Sequence, residues 1–158
     1  MNKFQKKISA LICFGITSVG INQTTQAEYY VAAFDHGAAF TQLMDRDSET
    51  AKTRLSEDMS LSPDYADTNN LCVNQILTNE YSKAIDSCQK ALEKVPDSNR
   101  HTIRIHRSQV QANLAVAKAM AGDRAGAIVD LEKSLSIYGR NKNATKNYEF
   151  LTAYALAD

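Results

Sequence analysis

The side chains in this chain that could do chemistry are His36, His101 and His106, the cysteines, and acid pairs such as Glu57-Asp58. His101 and His106 stand five apart, which turns them away from each other on a helix, whereas a helical metal pair uses a spacing of four. No carboxylate motif flanks them, so no metal site is expected. No Cys-x-x-Cys pair is present to depress a thiol pKa, and there is neither a Gly-rich phosphate loop nor a nucleophile elbow. The acid pairs fall where solvated helix ends are expected. Catalysis is therefore not expected, nor is a cofactor. What remains is recognition chemistry. Arg100, Arg104 and Arg107, spaced four and three apart with Gln111 continuing the row, form a basic stripe opposite Ile103, Val110 and Leu114. Guanidinium forks suit carboxylates, so a peptide C-terminus or an acidic patch could dock there, although a solvated helix face is an alternative.

The start of the chain sets an expected compartment. Met1 to Ala27 reads as a secretory signal: basic Lys3, Lys6 and Lys7, an apolar run from Ile8 to Ile21, and Thr25-Gln26-Ala27 at the cleavage point. The apolar run is shorter than the roughly 20 residues that span a bilayer, and polar Asn22 to Thr25 suits cleavage better than an anchor. Cleavage after Ala27 would leave a domain of residues 28–158 beginning at Glu28, with no stable membrane span. The expected location is outside the cytoplasm, in a bacterial periplasm, with secretion or membrane association as alternatives. All 18 acidic residues but only 15 of the 18 Lys and Arg follow Ala27, a balance of −3. Such a surface offers nothing general to nucleic acid or anionic lipid. Tryptophan is absent and glycine scarce, and Ala, Leu, Lys, Glu and Asp dominate, a composition that favours helices.

The elements that would position these residues show best between Asn79 and Pro96. Tyr81, Ala84, Ile85, Cys88, Ala91 and Leu92 recur at helical spacing on one face, after the polar Asn79-Glu80 turn and before Pro96. This segment resembles the second half of a tetratricopeptide repeat. Thirty-three residues upstream, Ala51, Leu55, Met59 and Pro63 match Ala84, Cys88, Leu92 and Pro96. Forty-three residues downstream, Ala127, Leu131, Leu135 and Gly139 do the same. The resemblance implies an all-α array of about three helical hairpins over Val31–Asp158. Its first helices are expected near Val31–Met44, Tyr65–Leu77 and Ser98–Ala121, and its second helices near Ser48–Met59, Tyr81–Lys94 and Arg124–Tyr138. A helix at Ala144–Leu156 would cap the stack. The chain departs from the family pattern in the first helices, where Asp35, Thr68 and Gln111 replace a bulky residue and Ala39, Cys72 and Ala115 replace glycine. The longer second interval is expected to lengthen the Ser98–Ala121 helix beyond its neighbour, with Asp97 or Ser98 as N-cap.

Antiparallel helices turning at Asn79-Glu80 place Cys72 and Cys88 level to within about 1.5 Å, the rise of one residue. That suggests a disulfide in an oxidising compartment; two buried free thiols are the alternative. The resemblance further implies that ligands lie along a concave face made by the first helices. By register that face includes His36, Phe40, Leu43 and Met44, then Asn69, Val73, Ile76 and Leu77, then Gln109, Ala112, Val116 and Met120. It would suit an apolar segment or amphipathic helix of a protein partner. Equally, the chain's own N-terminal segment, or a second copy in a homodimer, could cover it. The expected function is a protein-binding or assembly scaffold, and a small-ligand or lipid-binding envelope factor is the alternative.

Overall fold

A computed structural model describes residues 29–153. The expected signal peptide, its cleavage after Ala27 and the end of the last expected helix lie outside the described residues. Those described form an all-α fold: α1 (Phe40–Met44), α2 (Ser48–Met59), α3 (Tyr65–Leu77), α4 (Tyr81–Lys94), α5 (His101–Met120), α6 (Arg124–Ile137) and α7 (Lys142–Ala153), with no strand among them. None of these helices is long and apolar enough to cross a membrane.

Aspartates cap the starts of α2, α3 and α6. Asp47 accepts the Thr50 N–H and Asp123 the Gly126 N–H. Asp64 accepts from Ala66 and Asp67, while the Asp67 carboxylate takes the Asp64 N–H, completing a capping box. The turns between paired helices share one geometry. Arg46, Asn79 and Gly122 all take positive φ, at 57°, 63° and 91°. After each, a backbone N–H reaches five residues back, Asp47 to Gln42, Glu80 to Gln75 and Asp123 to Lys118, at 2.8, 2.8 and 2.9 Å. These are left-handed helix caps of the Schellman kind. They fall thirty-three and forty-three residues apart, the offsets that the alanine register follows.

Packing repeats with the same offsets. Ala51, Ala84 and Ala127 are fully buried, as are Leu55, Cys88 and Leu131. The alanines remove side-chain bulk where neighbouring helices must approach closely. Each helix packs on the next, and α1, α3, α5 and α7 also touch in succession, so these four share one face of the stack.

Two expectations about helix starts need correction. Only Phe40–Met44 of the expected Val31–Met44 helix is helical; residues 29–34 form neither helix nor strand ladder but pair at alternate residues, as an extended chain does, and 35–39 turn. Tyr29-Tyr30-Val31 has the aromatic and β-branched character of an extended chain, and other side chains take up its backbone groups. Gly37 closes the turn with its N–H on Phe34 O, so near α3 that an added Cβ would lie 2.8 Å from the Ala66 carbonyl. The second correction concerns α5, which begins at His101 with Arg100 in the N-cap place and no side-chain cap. Ser98 accepts the Arg100 N–H instead. At 20 residues α5 still exceeds the 13 of α3, and its extra turns rest on the end of α6 through Arg104 and a His101–Tyr138 ring contact.

Candidate peptide-binding groove

The shared face of α3, α5 and α7 carries an extended polypeptide, the chain's own Tyr29–Phe34. Asparagines hold it by the backbone. Asn147 on α7 accepts the Tyr30 N–H at 2.9 Å and donates to Tyr30 O at 2.8 Å. Asn113 on α5 does the same to Ala32, at 2.9 and 2.8 Å. Asn70 on α3 does the same to Phe34, at 2.7 and 2.9 Å, and donates also to Ala38 O. Asn69 adds a second donor to Ala32 O at 2.8 Å and accepts from Asn113. Both polar groups of three alternate residues are thereby paired. A carboxamide has one acceptor and one donor side, which match the N–H and C=O of a single extended residue. Asn69, Asn70, Asn113 and Asn147 are all buried, so water does not compete for these bonds.

Side chains anchor the segment at both ends. Tyr29 meets Phe150 edge-on with centroids 5.2 Å apart, and Val31 packs against the cores of the first two hairpins. Phe34 is buried among Ala66, Ala91, Val95 and Val110. Its ring also contacts His106 at 4.7 Å and His36 at 5.6 Å. The Tyr65 hydroxyl lies 2.9 Å from His106 Nδ1 and 3.3 Å from His36 Nε2. It has one proton to give, so at most one of the two rings accepts from it.

This corner should respond to acid. Burial first, then the charge that a protonated His36 brings, holds His106 below the ordinary histidine value, with Asp35 opposing weakly. The docked segment therefore favours the neutral ring. Once the segment undocks, His106 titrates nearer 6.5. Docking is strongest above that value and weakens as pH falls below it toward the depressed docked value. Proteolysis between residues 29 and 39 should be faster at pH 5.5 than at pH 7.5, and His106→Asn should remove most of that difference. Equal rates at both pH values in the wild type would refute it.

Of the residues expected at the site, Asn69 bonds the segment directly. Leu43, Val73, Ile76 and Val116 are buried in the core under or beside it, and Phe40 is half-buried in α1. Gln109 lines a separate small cleft of about 240 Å³ with Tyr138 and Asn141. The arginines are placed elsewhere. Arg104 donates to Ile137 O at 2.7 Å, and Arg107 to Val95 O and Pro96 O at 3.0 Å each, capping the ends of α6 and α4. Arg100 is exposed. The sulfurs of Cys72 and Cys88 lie at disulfide distance, with Cα atoms 5.3 Å apart, and tie α3 to α4.

Sequence reasoning missed Asn70, Asn113 and Asn147, and with them Asn143, which donates to Val31 O. A signal was present. Asn70 and Asn113 stand forty-three residues apart, at equivalent places in the repeat register, each with a valine three residues on, Val73 and Val116. Comparisons with protein-family models, curated proteins and solved structures find no match for this chain.

Proposed function

We propose that this chain is an exported binding or assembly module of the tetratricopeptide kind, whose concave face takes an extended polypeptide segment of a partner protein. The observation that carries this is the pairing of Asn70, Asn113 and Asn147 with the backbone of alternate residues. Such bonds select extended conformation and leave sequence to the side-chain pockets, as in strand-addition modes of peptide recognition. The resident segment then acts as a built-in ligand, and its exchange for a partner's segment is the binding event. Tethering raises the local concentration of the resident segment, so a partner must exceed it in contacts or in abundance. Fixing α3 by the Cys72–Cys88 pair suits work outside the reducing cytoplasm.

The test uses the intact chain and two labelled peptides spanning residues 28–37. One is unmodified, and the other is N-methylated at the residue matching Ala32. The unmodified peptide should bind saturably and render the resident segment protease-sensitive. The methylated one should bind about tenfold more weakly or worse, since it loses a buried hydrogen bond and clashes with Asn113. Equal binding of the two, or no binding of either, overturns the proposal.

A further inference from the structure

The asparagines satisfy only one edge of the resident segment. In an extended chain successive residues turn their N–H and C=O to opposite sides. Residues 30, 32 and 34 give theirs to Asn147, Asn113 and Asn70. On the other edge Asn143 reaches Val31 O at 3.2 Å, but the Val31 N–H and both polar groups of Ala33 meet no partner among the described residues. Both residues are half-buried. Backbone groups at such depth are satisfied by water or by another chain.

Beside this edge lies an open trough of about 340 Å³ between the segment and α1 and α3. Arg46 is the one charged residue that lines it, and the rest of the lining is apolar or aromatic. Met44 is 63% exposed, Tyr30 43% and Leu77 37%. The segment itself, Tyr29-Tyr30-Val31-Ala32-Ala33-Phe34, has no charge, proline or glycine. It therefore lacks the lysines, prolines and bulges with which edge strands avoid pairing.

We propose that a second copy of this chain pairs with that edge, the two segments running antiparallel about a two-fold axis at Ala32. Residue 31 of each copy then faces residue 33 of the other, and each such pair exchanges two N–H···O bonds. The Val31 N–H and the Ala33 N–H and C=O all gain partners, and Val31 O accepts through its second lone pair beside Asn143. The contact is isologous, as a two-fold requires. Small Ala33 always meets branched Val31 on the same face of the pair. A second copy is the partner the edge fits. It brings the same open donors and acceptors in the complementary order, on a segment that is itself uncharged. The patch is small, so association is weak and transient rather than obligate.

The test is sedimentation of the intact chain over a range from about 1 µM to about 500 µM, which brackets the affinities of small interfaces. The wild type should show a reversible monomer–dimer equilibrium. Ala33→Pro removes an N–H that has no partner in the single copy and leaves every asparagine bond in place, so the monomer tolerates it. It should weaken dimerisation at least about tenfold, the effect of one lost interaction of 1.4 kcal/mol. Met44→Glu, on the exposed rim, should do likewise with unchanged thermal midpoint. If Ala33→Pro alters the helical circular dichroism, Met44→Glu decides alone. A wild type that stays monomeric throughout overturns the proposal, even if it holds a foreign strand at this edge. So does a dimer that the deciding variant leaves intact. The clamp reading is separable, because N-methylation at the Ala32 position probes the asparagine edge and leaves the 31–33 edge untouched.

Discussion

Replacing Asn113 with alanine should release residues 29–34 from the groove. Asn113 is 1% exposed and bonds three groups: the Ala32 N–H, Ala32 O and Asn69 Oδ1. Truncation leaves the Ala32 N–H and Asn69 Oδ1 buried without a partner; Ala32 O keeps Asn69. Each orphaned buried group costs about 1–3 kcal/mol, so a loss of about 3 kcal/mol is expected. For a domain of this size that lowers the thermal midpoint by about 10 °C. Limited proteolysis should cut the released segment before the helices. Asn143→Ala is the control, since Asn143 is half-buried and gives the segment a single bond at 3.2 Å. Its effect should stay below about 1 kcal/mol. If the two variants behave alike, the buried clamp does not hold the segment.

Loss of the Cys72–Cys88 link should be as damaging. The two residues are fully buried and 16 apart in sequence, and closing a loop of that length contributes about 3 kcal/mol. Cys72 shares α3 with Asn69 and Asn70, so the link to α4 also fixes the helix that presents two of the clamping side chains. Changing both cysteines to alanine should lower the midpoint of chemical unfolding and speed proteolysis of residues 29–39. Reduction of the wild type should reproduce the loss. Thiol labelling of the unreduced, denatured protein reports the bond directly: neither Cys72 nor Cys88 should react. Labelling of both would mean two buried free thiols, and the alanine variant should then cost only the packing of two small side chains.

Much of the helical architecture was legible because it rests on local rules. Asp47, Asp64 and Asp123 mark helix starts. The alanine register at 51, 84 and 127 places the second helices, and their apolar spacing fixes the buried face. The start of the first unit was not legible. Val31, Ala32, Ala33 and Phe34 fit a helical face as readily as an extended run. What decides between them is a set of asparagines far along the chain, as distant as 117 residues in the Tyr30–Asn147 pair. Those asparagines look like surface residues to any pattern that equates polar with exposed. Their burial becomes explicable only once a second backbone lies against them. The histidines show the same limit. Sequence spacing relates His106 to His101, whereas its partner in space is His36, brought over by the turn at residues 35–39. The basic stripe was a real alignment on α5, but register alone could not show that the carbonyls of Val95, Pro96 and Ile137 would occupy Arg107 and Arg104.

The central claim is that residues 29–34 lie extended in the groove with their backbone held by asparagines on one edge. Amide hydrogen exchange, resolved residue by residue, tests it most directly. The N–H groups of Ala32 and Phe34, bonded to Asn113 and Asn70, should exchange slowly, and that of Tyr30 should be intermediate at the open end of the groove. Those of Val31 and Ala33 should exchange fast at concentrations where the chain is monomeric, giving protection that alternates along the segment. Uniformly fast exchange from residue 29 to residue 34 would contradict the account.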